Sequence, residues 1–299
     1  MSREISPEVN RPYGLERVCR VLAFPRSTVY ARQERAAARV VSLHRARRGP
    51  KPKLSDADLL AAIREDLKTS PFVGEGHRKV WARLRILREI RVCKDRVRRL
   101  MRENNLLSPY RQHQGKPHLH EGSIQTVAPN QMWGTDGMRI ETVEDGWVWV
   151  FCAVDHFDAL CVGIHTAKIG NRFAALQPIA QGLQGEFEST GINAGRGLKL
   201  RMDHGTQYTA DDFLKQIHFW GIETSFAFVA EPQTNGVAER FNRTLKEQVI
   251  YGRIFRNAED VHAVVTDFRD RYNRHRRLEK LDFKSPLEVR QSHALCKAA

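Results

Sequence analysis

Apolar residues in the first 50 positions recur at the spacing of a short α-helix. The first stripe consists of Leu15, Val18, Cys19 and Leu22. A break at Phe24-Pro25-Arg26 follows, and Ser27 has a side chain suited to the N-cap of a second helix. This pattern predicts a small helix-turn-helix over residues 12–36, followed by a basic helix or linker that ends near residue 50.

Residues 55–108 carry a second helical pattern with three apolar stripes. Ser55 is an N-cap candidate, and Asp58 three residues later completes a sequence similar to a capping box. The stripes are Leu59, Leu60, Ile63 and Leu67; Val80, Leu84 and Leu87; and Val97, Leu100 and Met101. The third helix also has a basic stripe at four-residue spacing, formed by Lys94, Arg98 and Arg102. This stripe is typical of a recognition helix in a DNA major groove, and a solvated basic surface is the alternative.

Beyond residue 130, short apolar runs alternate with helical segments. Trp147–Val154 and Leu160–His165 are nearly continuous apolar runs, which indicates strands buried on both faces. Shorter strand-like runs precede Asp136 and Asp203, and residues 222–226 offer a fifth strand. Helices are predicted over residues 172–187, 209–220 and 258–272. The order predicts an α/β fold with a five-stranded mixed sheet and helices.

One further helix, starting near Gly236, combines an apolar stripe with a charged side. The predicted buried side consists of Val237, Phe241, Leu245 and Val249. The predicted polar side consists of Glu239, Asn242, Arg243 and Lys246. A carboxylate and two cations would then project together into a cleft beside this helix. A solvated helix surface with an incidental Glu–Arg ion pair is the alternative.

Two aspartates lie in settings comparable to that of Glu239. Asp136 follows a short strand-like run, and Asp203 follows another run and precedes a turn into a helix. Two strands and one helix would therefore each deliver one carboxylate. The intervals between the three acids are weak evidence alone, because the chain contains 35 acidic residues. Their similar local contexts make the grouping much stronger.

The residues around the three acids form motifs. They are WGTD ending at Asp136, DHGTQY starting at Asp203, and NGVAERFNRTLK, which contains Glu239 and Lys246. With the later YNR at residues 272–274 and SPLE at 285–288, they resemble the DDE transposases of the bacterial insertion-sequence "IS-three" family, of the reading-frame B type, which are relatives of retroviral integrases. Residues 76–106 also resemble the helix-turn-helix before the catalytic core in that family. One departure is Gly137, where the family commonly has threonine.

The resemblance implies a ribonuclease-H-like catalytic core preceded by all-α helix-turn-helix modules. It implies that Asp136, Asp203 and Glu239 are catalytic and bind two Mg²⁺ or Mn²⁺ ions, with Asp136 as the bridging ligand. Two such ions, roughly 3.5–4 Å apart, suit carboxylate ligands and phosphodiester chemistry. Lys246 and Arg243 are expected to bind DNA phosphates beside the acids. A C-terminal basic tail that either contacts DNA or stays solvated is expected from Arg269, Arg271, Arg274, Arg276 and Arg277.

The function implied by the resemblance is DNA transposition, with 3′-end cleavage of an element followed by strand transfer. Double-stranded DNA, at the element ends and the target, would be the main partner. A homodimer or higher oligomer on DNA and the product of an upstream reading frame are further expected partners. Two alternatives remain: an inactive transposase-derived regulator that binds DNA, and a metal-dependent nuclease without strand transfer.

Charge is distributed unevenly along the chain. Residues 1–130 contain 28 Lys and Arg against 13 Asp and Glu, whereas residues 131–299 contain 21 against 22. The formal net charge is +14, and all of the excess of basic over acidic residues therefore lies in the first 130 residues. Such a segregated basic region indicates a module that binds a polyanion, with affinity that depends on salt.

The five cysteines form no CxxC pair, so neither a disulfide framework nor a zinc site is expected, His118 and His120 included. The longest apolar run is eight residues, too short for a membrane helix. A cytoplasmic, nucleoid-associated protein is the resulting expectation. The predicted regions are a first module over 1–50, a second over 51–108, a linker over 109–128 and an integrase-like core over 129–294.

Overall fold

The computed structural model describes residues 3–37, 54–108, 125–226 and 236–298, and the chain divides into two units, Met1–Lys53 and Leu54–Ala299. In the first unit, helix α1 spans Leu15–Val21 and helix α2 spans Arg26–Ala37. Helix α2 begins one residue before Ser27, so the predicted N-cap position is wrong. Cys19 is buried, but Leu22 is 59% exposed, because two short helices cover only part of the predicted stripe.

The second unit starts with a three-helix module. Its helices are α3 (Asp56–Thr69), α4 (His77–Leu87) and α5 (Lys94–Glu103). The predicted N-cap is confirmed, since Ser55 Oγ accepts a hydrogen bond from the Asp58 amide at 3.1 Å. The three helices share an apolar core, to which they contribute Leu59, Leu84 and Met101, respectively. Leu87, predicted to point inward, is 58% exposed because α4 ends there.

A five-stranded mixed sheet follows, as predicted. Its strands are β1 (Met132–Thr142), β2 (Gly146–Asp155), β3 (Cys161–Ala167), β4 (Lys199–Met202) and β5 (Glu223–Phe226). The order across the sheet is β3-β2-β1-β4-β5. Strand β2 lies between β1 and β3 and is antiparallel to both, whereas β4 pairs in parallel with β1 and β5 in parallel with β4. Strand β1 is therefore central.

Helices cover both faces of this sheet. They are α6 (Arg172–Phe187), α7 (Thr206–Thr209), α8 (Asp211–Phe219), α9 (Gly236–Leu245), α10 (Ala258–His275) and α11 (Pro286–Ala298). Val150, Cys152 and Val154 of β2 pack in one apolar cluster with α9 and α10. Phe151 and Ala153 pack in the other cluster with α6 and α8. Burial on both faces explains why this strand is apolar at almost every position.

Some predictions fall on residues outside the described ranges. These are the basic stretch 38–50, residues 109–124 of the linker, and residues 231–235 of the third motif. Within the ranges that are described, no helix is long and apolar enough to cross a membrane.

Candidate active site

Asp136 lies near the middle of the central strand β1 and is half-buried. Its Oδ1 accepts a hydrogen bond from the Gly137 amide and its Oδ2 accepts one from Asn242 Nδ2, both at 2.8 Å. Burial raises the pKa of Asp136, and the negative charge of Asp203 adds to this. The two hydrogen bonds and the Lys246 charge oppose the rise without cancelling it. This carboxylate therefore carries a charge that the surrounding protein compensates only in part.

Asp203 immediately follows β4, the parallel neighbour of β1. In the β1–β4 pairing, each β1 residue lies opposite the β4 residue that comes 67 positions later in the chain, as Met132 lies opposite Lys199. Asp203 stands the same 67 positions after Asp136, so the β1–β4 register, continued two residues beyond its last pair, brings the two acids side by side. Asp203 is exposed, and its Oδ1 accepts a hydrogen bond from the Gly205 amide at 2.9 Å.

Glu239 comes from α9, which packs against β1 and β2. Its side chain is half-buried. Burial raises the pKa of Glu239, the charges of Asp136 and Asp203 raise it further, and the charge of Arg243 lowers it. The helix thus brings a third carboxylate within electrostatic range of the two aspartates.

Asn242 corrects the predicted polar side of α9. It does not project into a cleft with Glu239 but is buried, with 5% exposure. Its amide donates to Asp136 Oδ2, and its Oδ1 accepts a hydrogen bond from Cys152 Sγ at 3.4 Å. Asn242 therefore joins the helix of one acid to the strand of another. The sequence signal for its burial is its position beside Phe241, at the edge of the apolar stripe.

The motif that begins at Asp203 also contributes a buried aromatic side chain. The hydroxyl of Tyr208 lies 3.5 Å from Thr135 Oγ1, and its ring meets Phe151 edge-on with centroids 6.5 Å apart. Phe151 lies opposite Gly137, where a Cβ atom would be 2.7 Å from the Phe151 ring. Residues of the first two motifs, Thr135 and Tyr208, are therefore packed together inside the core.

Across the described residues, no three His, Cys, Asp or Glu side chains are arranged as a group that holds a metal ion. The chemistry of the three acids nevertheless fits a divalent cation. Carboxylate oxygens are the ligands that Mg²⁺ and Mn²⁺ prefer. Each oxygen of Asp136 has a second lone pair beyond the one that its hydrogen bond uses. Asp136, Asp203 and Glu239 are the residues that would hold such an ion.

The two predicted phosphate-binding cations lie at the edge of this acidic group. Arg243 is exposed on α9, and its charge lowers the pKa of Glu239. Lys246 is half-buried and lowers the pKa of Asp136. The prediction that Lys246 lies on the polar side of the helix assumed a continuous α-helix. In the structure, Lys246 is the first residue of a π-helical turn, Lys246–Ile250.

Protein-family models match the three-helix module and the sheet region separately. Two models described as integrase core domain match residues 126–232 and 220–286, which include the sheet and all three acids. Residues 126–286 of the chain form an integrase core domain. A third model, described as an HTH-like domain, matches residues 54–114 of this integrase-core protein and covers the three-helix module. The ribonuclease-H-like core and the helix-turn-helix module expected from the sequence are thereby confirmed.

Relatives of this integrase-core chain carry the names of insertion-sequence transposases. The transposase for insertion sequence element IS629 from Shigella sonnei is 27% identical over 229 residues, 73% of this chain and 74% of the relative. Transposase InsD for insertion element IS2D from Escherichia coli K12 is 26% identical over 205 residues, 65% of each chain. The transposase for insertion sequence element IS904 from Lactococcus lactis is 26% identical over 57% of this chain and 65% of the relative. The chain thus spans just under two thirds of the last two relatives.

Two solved structures that this chain matches come from retroviruses. The HTLV-2 integrase catalytic core domain in complex with magnesium is 13% identical, with a TM-score of 0.42, and the match covers 56% of this chain and 99% of that one. The simian T-cell lymphotropic virus intasome is 15% identical, with a TM-score of 0.45, and the match covers 70% of this chain and 73% of that one.

Helix α5 of the HTH-like module has two kinds of basic residue. Lys94, Arg98 and Arg102, the predicted DNA contacts, are all exposed. Arg96 and Arg99 instead form ion pairs at 2.6 Å with Asp56, at the start of α3. The predicted stripe is therefore a separate surface from the arginines that hold the module together.

A second group of acids in the core is bound to an arginine. Arg290 of α11 forms ion pairs with Asp155 at 2.9 Å, with Asp158 at 2.6 Å and with Glu186. Asp155 and Asp158 are fully buried. This Arg290 cluster attaches α11 to the end of β2, so Asp155 has a structural role.

The predicted C-terminal basic tail differs from the structure. Residues up to His275 belong to α10. Arg276 and Arg277 point inward and form ion pairs with Glu75 and Glu288. Arg269 and Arg271 pair with acids on α10 itself. The tail interpretation is wrong for Arg276 and Arg277, which are paired inside the fold. The partner of Arg276, Glu75, lies 201 positions away, where local charge patterns give no signal.

Proposed function

We propose that this integrase-core protein is a DNA transposase that cleaves the 3′ ends of an insertion-sequence element and joins them to target DNA in a metal-dependent reaction. The observation that carries the proposal is the strand register. Residues paired between β1 and β4 are 67 positions apart, and so are Asp136 and Asp203. Helix α9 adds Glu239 within electrostatic range of both. Three of the relatives are named as insertion-sequence transposases, which supports the same activity for this chain.

The residues divide into ligands, supports and substrate contacts. Asp136, Asp203 and Glu239 would supply the oxygen ligands. Two Mg²⁺ or Mn²⁺ ions bound there would activate the attacking oxygen and stabilise the leaving oxygen at the phosphorus. Asn242 holds the Asp136 carboxylate in one orientation through its 2.8 Å hydrogen bond. Arg243 and Lys246 would bind phosphates beside the reacting bond and orient it.

Duplex DNA is the partner that the charge distribution favours. Lys94, Arg98 and Arg102 would contact the element end through the exposed side of α5. Joining two ends to one target requires at least two active sites, so a homodimer or higher oligomer on DNA is part of the proposal. The product of an upstream reading frame is a further partner.

The test uses a labelled element end, taken from the DNA that flanks the reading frame, with Mg²⁺ or Mn²⁺. Asp136→Asn, Asp203→Asn and Glu239→Gln each remove one ligand charge and preserve side-chain size. We expect each variant to lose cleavage and joining while DNA binding remains. Asp211→Asn is the matched control, because Asp211 is an exposed acid at the start of α8. Full activity in any one of the three variants would remove that residue from the site.

The same assay separates the two alternatives. A DNA-binding regulator would show no metal-dependent product with the unaltered chain. A nuclease would produce nicked ends without joined products. Both outcomes would contradict the proposal while leaving the family assignment in place.

A further inference from the structure

The connection between α3 and α4, residues 70–75, leaves its own module and packs against the integrase core. This docking segment has the sequence SPFVGE. Phe72 is 3% exposed and belongs to the same apolar cluster as Phe241, Phe268 and Tyr272 of the core. Its ring meets that of Phe268 edge-on, with centroids 6.5 Å apart. A side chain of the HTH-like module is thus part of the hydrophobic core of the catalytic domain.

The backbone of the docking segment is also held by the core. The Val73 amide donates to Gln248 Oε1, and Gln248 Nε2 donates to the Val73 carbonyl, both at 2.9 Å. Arg271 Nη1 donates to the Pro71 carbonyl at 3.0 Å. Gln248 lies in the π-helical turn that begins at Lys246, directly after the helix that carries Glu239. The docking contacts are therefore continuous with the element that builds the active site.

A buried ion-pair group completes the attachment. Glu75 is 4% exposed and pairs with Lys79 and Arg83 of its own module. It also accepts a hydrogen bond from Arg276 Nη1 of the core at 2.8 Å. Burial opposes the charge of Glu75, but Lys79, Arg83 and Arg276 outweigh it and lower the pKa of this carboxyl. The core thus supplies one of the three cations that compensate this buried charge, which favours the docked state.

Two contacts outside the docking segment repeat the attachment. Trp81 of α4 meets Phe283 edge-on, with ring centroids 5.8 Å apart. Arg78, at the start of α4, forms an ion pair at 2.9 Å with Glu279. The module is therefore held at separated points, which restricts rotation as well as separation.

We propose that the docking segment fixes the HTH-like module to the core as one body, and that this geometry sets the distance along DNA between the bases contacted by α5 and the phosphate that is cut. The inference rests on the proposed function for its second part. Chain connectivity alone would not set this distance. The 28 residues between Glu103 and Met132 would span up to about 90 Å when extended. One base step is about 3.4 Å, so a merely tethered module would allow cuts at many positions.

The first measurement is independent of activity and uses the full chain. Hydrogen–deuterium exchange is followed in residues 70–76, with Gln248→Ala, Phe72→Ala and the double variant. We expect exchange at the Val73 amide to become at least tenfold faster, because its hydrogen-bond partner or its packing is lost. Gln177→Ala and Phe173→Ala are the matched controls, since both side chains are exposed on α6. Unchanged exchange in Gln248→Ala and in the double variant would overturn the docking.

The second measurement maps the cut at nucleotide resolution on a labelled element end. We expect one cut phosphate for the unaltered chain and the controls, and cuts spread over neighbouring phosphates for the docking variants. Gln248→Ala removes two hydrogen bonds of a half-buried side chain and leaves the apolar cluster intact, so it remains informative if Phe72→Ala unfolds the chain. Faster exchange with a single unchanged cut would overturn the spacing role. If the unaltered chain cuts no DNA, the proposed function fails, and the exchange measurement still decides the docking.

Discussion

The integrase core contains two groups of three carboxylates that differ in the source of their opposing charge. Asp155, Asp158 and Glu186 surround Arg290, which pairs with all three. Asp136, Asp203 and Glu239 have no ion pair with a Lys or Arg among the described residues, and the amide of Asn242 is the buried partner of Asp136. The chain therefore supplies a directly paired cation in the first group, and under the proposed function bound metal ions would supply the positive charge in the second.

The pKa values alone do not separate the two groups. Burial and the charge of Asp158 raise the pKa of Asp155 to about 6 in spite of Arg290. Burial also raises the pKa values of Asp136 and Glu239. A raised pKa thus marks a buried acid in either role, whereas the presence of a directly paired cation distinguishes a structural group from a candidate catalytic one.

The largest expected effect comes from making the same change in each group. Asp203→Asn should lower cleavage at least about 10⁴-fold, equivalent to more than 5 kcal/mol in the barrier. Its melting temperature should stay within about 2 °C of the parent, because the side chain is exposed. Asp158→Asn should lower the free energy of unfolding by about 1.5–3 kcal/mol, with cleavage reduced less than tenfold. Cleavage assays and thermal melts of the two variants check this. The comparison would be contradicted if Asp203→Asn lost stability and kept cleavage while Asp158→Asn lost cleavage and kept stability.

Removing the cation from the paired group should have the next largest effect. Arg290→Met leaves Asp155 and Asp158 buried without their partner, so the free energy of unfolding should fall by about 3–5 kcal/mol. Arg172→Met is the control, because both side chains of the Arg172–Asp212 pair are about half exposed and the pair should contribute less than about 1 kcal/mol. Urea denaturation measures both variants. A loss below about 1 kcal/mol for Arg290→Met would show that the arginine does not compensate these acids.

His156, next to Asp155, tests burial separately from pairing. Burial lowers the pKa of His156 to about 4, and the charges of Lys280 and Arg201 contribute. The unfolded chain binds this proton below about pH 6.5 and the folded chain only near pH 4, so acid weakens folding between these values. We expect the stability of the parent relative to His156→Leu to fall by up to about 3 kcal/mol from pH 7 to pH 4. Urea denaturation at several pH values checks this, and a constant difference would contradict the lowered pKa.

The smallest effect extends the comparison to cations on α5. Arg98→Gln with Arg102→Gln should weaken binding to duplex DNA and reduce the slope of affinity against salt by about two. Arg99→Gln removes a cation that already pairs with Asp56, so it should leave that slope nearly unchanged. Anisotropy titrations at several salt concentrations provide the measurement. Equal slopes for the parent and the double variant would mean that the exposed side of α5 does not contact phosphates.

Local patterns in the sequence predicted much of this fold. Strand β2, helix α6 and the Ser55 cap follow from runs, periods and turn residues a few positions apart. The two aspartates and Glu239 were grouped from their contexts and from the resemblance. The burial of Asn242 and the inward turn of Arg276 were not predicted, because their partners lie 106 and 201 positions away. The π-helical turn at Lys246 also has no local periodic signal.

The contact between Gly137 and Phe151 bears on how such sequences diverge. The resembling family commonly has threonine at the position of Gly137, but a Cβ here would meet the Phe151 ring at 2.7 Å. That ring is wedged between Trp149, stacked at 5.6 Å, and Tyr208 of the second motif. The residue type allowed at position 137 therefore depends on the residue at position 151, and the reverse also holds. Along a lineage that exchanges glycine for threonine, a smaller residue should arise at position 151, so the pair should be inherited together.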